Sequence, residues 1–156
     1  MKKIILTTAI GIFLSTSVLA AHHEENTVVK PTKISKEIVA GDIYNHPDMV
    51  KETHNGNTTL DVTTFIGSDG KLGSGVYRSG KVRYDINEPY GVDEFFYILE
   101  GSITLTSADG TVTKINAGEA VTIPKEWTGI WDTDGYYKIW VIYSEDGSAL
   151  EYNLQT

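Results

Sequence analysis

Two short stretches, close together in the sequence, decide the fold of this chain. They are Glu-Phe-Phe-Tyr-Ile-Leu-Glu-Gly, residues 94–101, and Gly-Glu-Ala-Val-Thr-Ile-Pro, residues 118–124. Their aromatic and β-branched residues predict strands. Gly101 and Gly118 predict tight turns that reverse the chain, because glycine adopts positive φ angles at little cost. Pro124 has no backbone N–H and predicts the end of a strand.

Similar strand-like runs extend on both sides of these stretches, from Thr58 to Tyr152. No segment after residue 20 shows a helical period. Four Asp-Gly pairs punctuate the runs and predict tight hairpin turns. They are Asp69-Gly70, Asp109-Gly110, Asp134-Gly135 and Asp146-Gly147. We therefore predict an all-β fold, an antiparallel sandwich or barrel over residues 58–156, preceded by a polar N-terminal arm over residues 21–57.

The first twenty residues have the layout of a secretory signal peptide. Lys2 and Lys3 precede an apolar stretch over residues 4–14, and Val18-Leu19-Ala20 fits a cleavage site. A membrane-spanning helix would need roughly 20 apolar residues, which this stretch does not supply. We expect cleavage near Ala20 and a secreted or periplasmic protein, with no membrane association after the signal is removed.

Charge and composition exclude several classes of partner. The chain of 156 residues has a formal net charge of -8 and no cysteine. Nucleic-acid binding requires clustered basic residues, so a nucleic-acid partner is not expected. The absence of cysteine excludes disulfides, thiolate metal ligands and a cysteine nucleophile.

The two deciding stretches, in this order, resemble the conserved motifs of the cupins. The strings Asp93-Glu94-Phe95, Trp127-Thr-Gly-Ile-Trp131 and Trp140-Val-Ile-Tyr143 are similar to single-domain cupins related to the cupin domain of ureidoglycine aminohydrolase. The resemblance covers about residues 75–143. It implies a cupin-type jelly-roll β-barrel with a cup-shaped pocket at one end, but not a reaction, since one fold hosts many functions.

The metal-binding histidines of the cupin motif are missing from this sequence. By resemblance, two should lie before Glu94, at Glu88 and Tyr90 or, with a longer spacer, at Asn87 and Pro89; a third should replace Gly129. All four histidines of the chain lie in the arm. We therefore expect no metal site in the cup and no cofactor. Ureidoglycine hydrolysis is not expected either, because by resemblance it needs a metal and a second cupin repeat.

Two charged residues are candidates for the interior of the cup. Strand alternation places Glu94, Phe96 and Ile98 on one face. Lys138 begins an apolar run, where a charge rarely lies without a partner. We predict that Glu94 and Lys138 point into one cavity and pair there, in the space left by the metal. The alternatives are a solvated Glu94 at a strand start and a Lys138 that reaches solvent at a strand end.

Aromatic residues complete the predicted pocket, although most aromatic residues of a barrel fill its core. Trp127 and Trp131 flank the vacant ligand position at Gly129, so we expect both to point inward. The ligand pocket is predicted to comprise Tyr77, Tyr90, Glu94, Phe96, Trp127, Trp131 and Lys138. The two arginines of the chain, Arg78 and Arg83, are further candidates for gripping a carboxylate.

Three classes of function remain open. The first is an exported cupin that binds a small polar metabolite or sugar without catalysis. The second is a metal-independent isomerase, lyase or hydrolase, in which Glu94 is the general acid or base and Lys138 stabilises charge. The third is a structural module, a homodimer with the arm as an exchanged edge strand. Apolar residues on both faces of residues 137–143 indicate that the outer face is covered, by a partner or by the arm.

Overall fold

The computed structural model describes residues 28–150. The predicted signal peptide, residues 1–20, and the adjacent His22 and His23 lie outside the described residues. The chain divides into two units, Met1–Lys30 and Pro31–Thr156, and the second contains the fold described below. Within the described residues, no helix has the length and apolar character needed to span a membrane.

Eight strands and two short helical turns make up the fold. The helical turns are α1 (Lys36–Val39) and a 3-10 helix (Asp42–Asn45). The strands are β1 (Val50–His54), β2 (Asn57–Ile66), β3 (Leu72–Ser79), β4 (Val82–Ile86), β5 (Asp93–Ser107), β6 (Val112–Asn116), β7 (Ala120–Ile123) and β8 (Gly129–Tyr143). The predicted all-β architecture is confirmed. The helical turns are too short for a helical period to reveal them in the sequence.

All the strand pairs are antiparallel, and the two long strands organise them. The sheet order is β1-β2-β3-β8-β5-β6, with β4 added to β8 and β7 added to β5. Strands β5 and β8 pair along most of their length, from Asp93 opposite Tyr143 to Ser107 opposite Gly129. Strand β4 pairs with the first part of β8 and β3 with the last part, and residues of both strands line the site described below, together with residues of β5 and β8.

The long strands bend at a pair of glycines, which corrects two predictions. Gly101 and Gly135 lie inside β5 and β8, with φ of 74° and 133°, and not in hairpin turns. A Cβ at Gly101 would lie 2.1 Å from the carbonyl oxygen of Gly135, so the two backbones touch. The buried positions of β5 change there from even to odd numbers, and those of β8 from odd to even, as expected at a β-bulge.

The other predicted turns agree with the structure. Asp69-Gly70, Asp109-Gly110 and Asp146-Gly147 lie between or after strands, each with its glycine at positive φ. Gly118 lies in the turn between β6 and β7, and Pro124 follows the last residue of β7. Asp-Gly thus predicts positive φ correctly at every position, but not whether a hairpin or a bulge uses it.

Part of the predicted arm covers the outer face of the barrel. Ile43 is fully buried and packs with Val62, Val76 and Tyr137 on that face. The Tyr137 hydroxyl donates a hydrogen bond of 2.5 Å to the carbonyl of Ile38. The predicted occupants of this face were a partner or the arm, and the structure shows residues of the arm there. Strand β1, also within the arm, extends the sheet as an edge strand.

Candidate functional site

A cavity of about 270 Å³ opens at one end of the barrel. It is lined by residues of β2, β3, β4, β5 and β8, and by Tyr90 in the segment between β4 and β5. Five of the seven predicted pocket residues line it: Tyr77, Tyr90, Glu94, Trp131 and Lys138. The lining also contains residues that the sequence analysis did not assign to the pocket: Asp61, Tyr84, Ile86, Tyr136, Trp140 and Ile142.

Glu94 and Lys138 form a buried ion pair in this cavity, as predicted. The Nζ atom of Lys138 lies 2.6 Å from Oε1 of Glu94, and the two residues are 6% and 1% exposed. Their strands pair in register, with Lys138 opposite Ile98 and Glu94 opposite Ile142. Neither of the alternatives, a solvated Glu94 or a Lys138 that reaches solvent, describes the structure.

Tyr90 completes the hydrogen bonding of the carboxylate. Its hydroxyl donates to Oε2 of Glu94 at 2.5 Å, so both oxygens of Glu94 are engaged. Burial raises the pKa of Tyr90 well above its ordinary value of 10.0, and the neighbouring Glu94 carboxylate raises it further. Tyr90 is therefore a neutral donor at physiological pH. It occupies one of the positions that the metal-binding motif gives to histidine.

Four aromatic rings surround the ammonium group of Lys138. Its Nζ atom lies 4.6 Å from the centroid of the Phe96 ring and 5.1 Å from that of Trp131. The corresponding distances to Tyr136 and Tyr77 are 5.6 Å and 5.7 Å. Ring faces carry partial negative charge and attract cations within about 6 Å. This aromatic cage, defined by these four rings, stabilises the ammonium in a place that water hardly reaches.

One buried polar group of Trp131, a residue of the cavity lining, has no hydrogen-bond partner among the described residues. The Nε1–H of Trp131 is buried and makes no hydrogen bond within the part of the chain that the structure describes. Its ring stacks on Tyr90 at an interplanar angle of 12° and touches Phe96 and Tyr136 at tilted angles. A buried donor left unpaired costs about 1–3 kcal/mol, so it marks a place where an acceptor oxygen would be stabilised.

Phe96 and Trp127 do not line the cavity. Phe96 faces inward but is fully buried beneath Lys138, so it belongs to the cage and not to the accessible wall. Trp127 packs against the core cluster that contains Phe96 and Trp131, but it is not among the residues that line the cavity. Strand β8 begins only at Gly129, so strand alternation does not extend back to Trp127. Its ring packs edge-on against Tyr90, and its Nε1–H donates to Ser107 Oγ at 3.1 Å.

Tyr136 and Asp61 are the site residues that sequence reasoning missed most clearly. Tyr136 lies two residues before Lys138 on the same strand, so alternation from Lys138 would have found it. Asp61 lies on β2, and its Oδ1 accepts a hydrogen bond from Trp140 Nε1 at 3.2 Å. An aspartate in a polar stretch gives no sign of its position in the sequence alone.

The two arginines bind carboxylates of the chain itself, outside the cavity. Arg78 lies 2.8 Å from Glu100, beside the Tyr137 ring, and Arg83 lies 3.3 Å from Asp132. Neither lines the cavity. A role for them in holding a ligand in the cup has no support in this geometry.

Comparisons with known proteins agree with this architecture. Residues 80–138 match a family described as the EutQ-like cupin domain. The EutQ protein of Clostridium difficile is 24% identical over 64% of this chain and 78% of its own, with a TM-score of 0.51. The barrel has the cupin fold. A protein of unknown function from Pseudomonas syringae pv. tomato, of the DUF861 family, is 16% identical with a TM-score of 0.55. The aligned region covers 60% of this chain and 43% of that one. A comparison with curated proteins finds no match.

The donor set of this barrel does not fit the metal that the cupin motif would imply. Among residues 28–150, no three His, Asp, Glu or Cys side chains gather around a common point. Glu94 is held by Lys138 and Tyr90. At Gly129, where the motif has a histidine, φ is 151°, and a Cβ would lie 2.2 Å from the carbonyl oxygen of Thr106. The local backbone thus leaves no room for a ligand side chain there.

Proposed function

We propose that this protein is an exported cupin that binds a small polar metabolite or sugar in the barrel cup without a transition metal. The observation that carries the proposal is the Glu94–Lys138 pair inside an aromatic-walled, open cavity. A cavity with apolar walls and a few fixed polar groups is the usual form of a small-molecule site. The pair and its cage fix the polar end of the cavity, and the remaining rings supply contact area.

Metal independence is supported by what replaces the metal ligands. An ammonium group occupies the neighbourhood of Glu94 in which a cation would otherwise bind, and Tyr90 and Gly129 stand at positions that the motif gives to histidine. Metal analysis of the purified protein, before and after dialysis against a chelator, tests this part. We expect less than stoichiometric zinc, manganese and iron, and unchanged ligand binding after dialysis. One tightly held metal per chain would contradict it.

The relation to the cupin domain of ureidoglycine aminohydrolase is proposed for the barrel alone. The similar strings lie in β5, β8 and the turn before β8, which build the barrel wall. The corresponding activity is not proposed, because the imidazole ligands that it requires by resemblance are replaced in this chain.

The geometry favours binding over metal-independent catalysis. A general acid or base needs an oxygen that can reach the substrate. Both carboxylate oxygens of Glu94 are already engaged, one by an ammonium group and one by a phenol. Loss of turnover in Glu94→Gln with affinity retained would instead support the enzyme. We expect Glu94→Gln to change affinity and stability together.

Native mass spectrometry of protein purified from its natural host tests the binding proposal. We expect a fraction of the molecules to carry a small organic compound that gentle activation releases. The matched control is a variant whose cavity is filled, Ile142→Trp, from which the same compound should be absent. A compound that persists in Ile142→Trp would show that it binds elsewhere, and protein that is free of any compound and binds none from a host extract would contradict the proposal.

Export is proposed on the strength of residues 1–20. The intact mass of protein recovered from the periplasm or medium of the host should correspond to a chain that begins at Ala21. Recovery of the uncleaved chain in the cytoplasm would contradict export.

A homodimer is proposed as well, through a patch on the outer sheet face. The patch consists of five large apolar side chains that are 39–45% exposed: Phe65, Leu72, Phe95, Tyr97 and Tyr143. Strand register places them on one face. Exposed apolar patches commonly mark protein contacts. Light scattering should give twice the monomer mass for the parent protein and the monomer mass for Phe95→Ser. A monomeric parent protein would contradict the dimer.

A further inference from the structure

We infer that the ligand of the cup is an uncharged ring compound rich in oxygen acceptors, a pyranose or a cyclic polyol, and that Trp131 Nε1 donates a hydrogen bond to it. This inference rests on the proposed binding function and names the chemical class of the ligand. Three observations lead to it. Glu94 neutralises the charge of Lys138, the aromatic cage is occupied by the Lys138 ammonium group, and the Nε1–H of Trp131 has no hydrogen-bond partner among the described residues.

A cationic ligand finds its natural place already taken. Aromatic cages recognise ammonium groups through their ring faces. Here the cage of Tyr77, Phe96, Trp131 and Tyr136 surrounds the chain's own ammonium group, that of Lys138. Lys138 therefore excludes a second cation from the cage.

An anionic ligand finds no free positive charge. Lys138 is the only Lys or Arg among the described residues that line the cavity, and its charge is balanced by Glu94 at 2.6 Å. The Tyr90 hydroxyl already donates to the same carboxylate. Asp61 adds a further acidic side chain to the wall. Binding an anion would require breaking the buried pair, whereas a neutral ligand leaves it intact.

The unpaired donor supplies the positive argument. Trp131 is 4% exposed, its ring lines the cavity, and its Nε1–H has no partner among residues 28–150. A hydroxyl, ether or carbonyl oxygen of a ligand would satisfy it. The walls formed by Tyr84, Tyr90 and Trp140 offer ring surface to the apolar C–H face of a sugar, whose edge carries the hydroxyl groups.

The size of the cavity suits a ligand with one ring. Its volume of about 270 Å³ is enough for a six-membered ring with its hydroxyl groups.

The first test needs no variant. Thermal unfolding of the mature protein is measured with neutral pentoses, hexoses and inositols, and with the hexuronates and hexosamines that match them in shape. We expect at least one neutral compound to raise the unfolding temperature and its charged counterparts to have no effect. If only charged compounds bind, the inference is overturned and the binding function stands. If no compound of any charge binds, the inference is overturned, and the binding function is then decided by the host-extract experiment described above.

The second test is a pair of indole substitutions. Trp131→Phe keeps a ring and removes the unpaired donor, but the smaller ring leaves a gap in the buried cage, so the ligand-free unfolding temperature should fall. Titration calorimetry with the best neutral compound should show about two- to tenfold weaker binding, as for one lost neutral hydrogen bond. Trp127→Phe, the control, breaks the bond to Ser107, so it should lower the ligand-free unfolding temperature and leave affinity unchanged. Equal affinity of Trp131→Phe and the parent protein would overturn the assignment of the donor.

Discussion

Replacing Lys138 by methionine isolates the buried charge pair at the base of the cup. Methionine retains most of the length and apolar surface of the lysine side chain, so the substitution removes the ammonium group with little change in packing. The carboxylate of Glu94 then remains buried, with Tyr90 as its hydrogen-bond donor and the faces of the cage rings around it. Those faces carry partial negative charge and repel a carboxylate.

The structure sets the size of the effect. The two side chains are 7% and 2% exposed, and their charged atoms are 2.6 Å apart. Removing one partner of such a pair typically costs about 3–5 kcal/mol, a large share of the 5–15 kcal/mol that stabilises a domain. With a urea dependence of about 2 kcal/mol per M, the unfolding midpoint should fall by roughly 1.5–2.5 M.

The converse substitution should be milder. In Glu94→Gln the ammonium group loses its counter-ion but keeps four ring faces, which stabilise a cation. We therefore expect Lys138→Met to cost more than Glu94→Gln. The double variant should cost much less than the sum of the two, since it leaves no unpaired charge.

The chain offers a matched control at its surface. Lys81 and Asp134 lie 2.7 Å apart, but their side chains are 79% and 89% exposed. Lys81→Met should change the unfolding midpoint very little, because water screens the pair. Urea unfolding at neutral pH, followed by far-UV circular dichroism, measures all four variants. The reasoning is refuted if Lys138→Met costs no more than Lys81→Met, or if the two cavity substitutions are additive.

Two further predictions concern the barrel wall. Gly101→Ala should destabilise the protein by several kcal/mol, since its Cβ would meet the Gly135 backbone at 2.1 Å. Gly118 lies at a turn with open space, so Gly118→Ala should cost only the roughly 1–2 kcal/mol of a positive φ. The urea unfolding midpoints of the two variants measure this difference. Tyr137→Phe should cost about 0.5–1.5 kcal/mol and speed proteolysis of the N-terminal residues by removing the bond to Ile38. Burial raises the pKa of Tyr137 from 10.0 to about 12. The folded state therefore favours the protonated phenol. The stability gained in this way is complete below pH 10 and should be lost as pH rises toward 12. Tyr137→Phe should show no such loss. Equal midpoints for the two alanine variants, or identical alkaline profiles of Tyr137→Phe and the parent, would contradict these accounts.

The interior of the cup could be predicted where strand alternation is uninterrupted. From Glu94, a period of two places Phe96 and Ile98 inward, and all three are fully buried. The pairing of Glu94 with Lys138 followed from chemistry, because a charge within an apolar run needs a partner. These inferences use only the local periodicity of the sequence and the general cost of burying a charge, so they need no knowledge of the tertiary structure.

The bend of the long strands could not be predicted in the same way. An Asp-Gly pair permits positive φ in a hairpin and in a bulge alike, and the difference at Gly135 arises from the backbone of β5 passing beside it. The bend shifts the alternation, so Tyr136 and Lys138 face the cup together with Trp131. Strand alternation also gives no guide to Trp127, since β8 begins two residues after it.

The residues that cover the outer face of the barrel could not be predicted from the sequence either. The apolar faces of residues 137–143 indicated that something covers them. Ile43, which fills that place, lies in a polar stretch with a weak apolar pattern, and only its full burial against Tyr137 shows its role. A contact across such a distance in the chain has no local signature.

The indole resonances of the tryptophans test most directly whether the cup binds a neutral small molecule without a metal. The chain has 3 tryptophans, so a ¹H–¹⁵N spectrum contains three indole signals, which Trp→Phe variants assign. On titration with the compound recovered from the host, the Trp131 signal should move downfield while that of Trp127 stays, and Zn²⁺ or Mn²⁺ should leave both unchanged. A Trp131 signal that ignores the compound, or one that shifts or broadens on addition of the metal alone, would contradict the account.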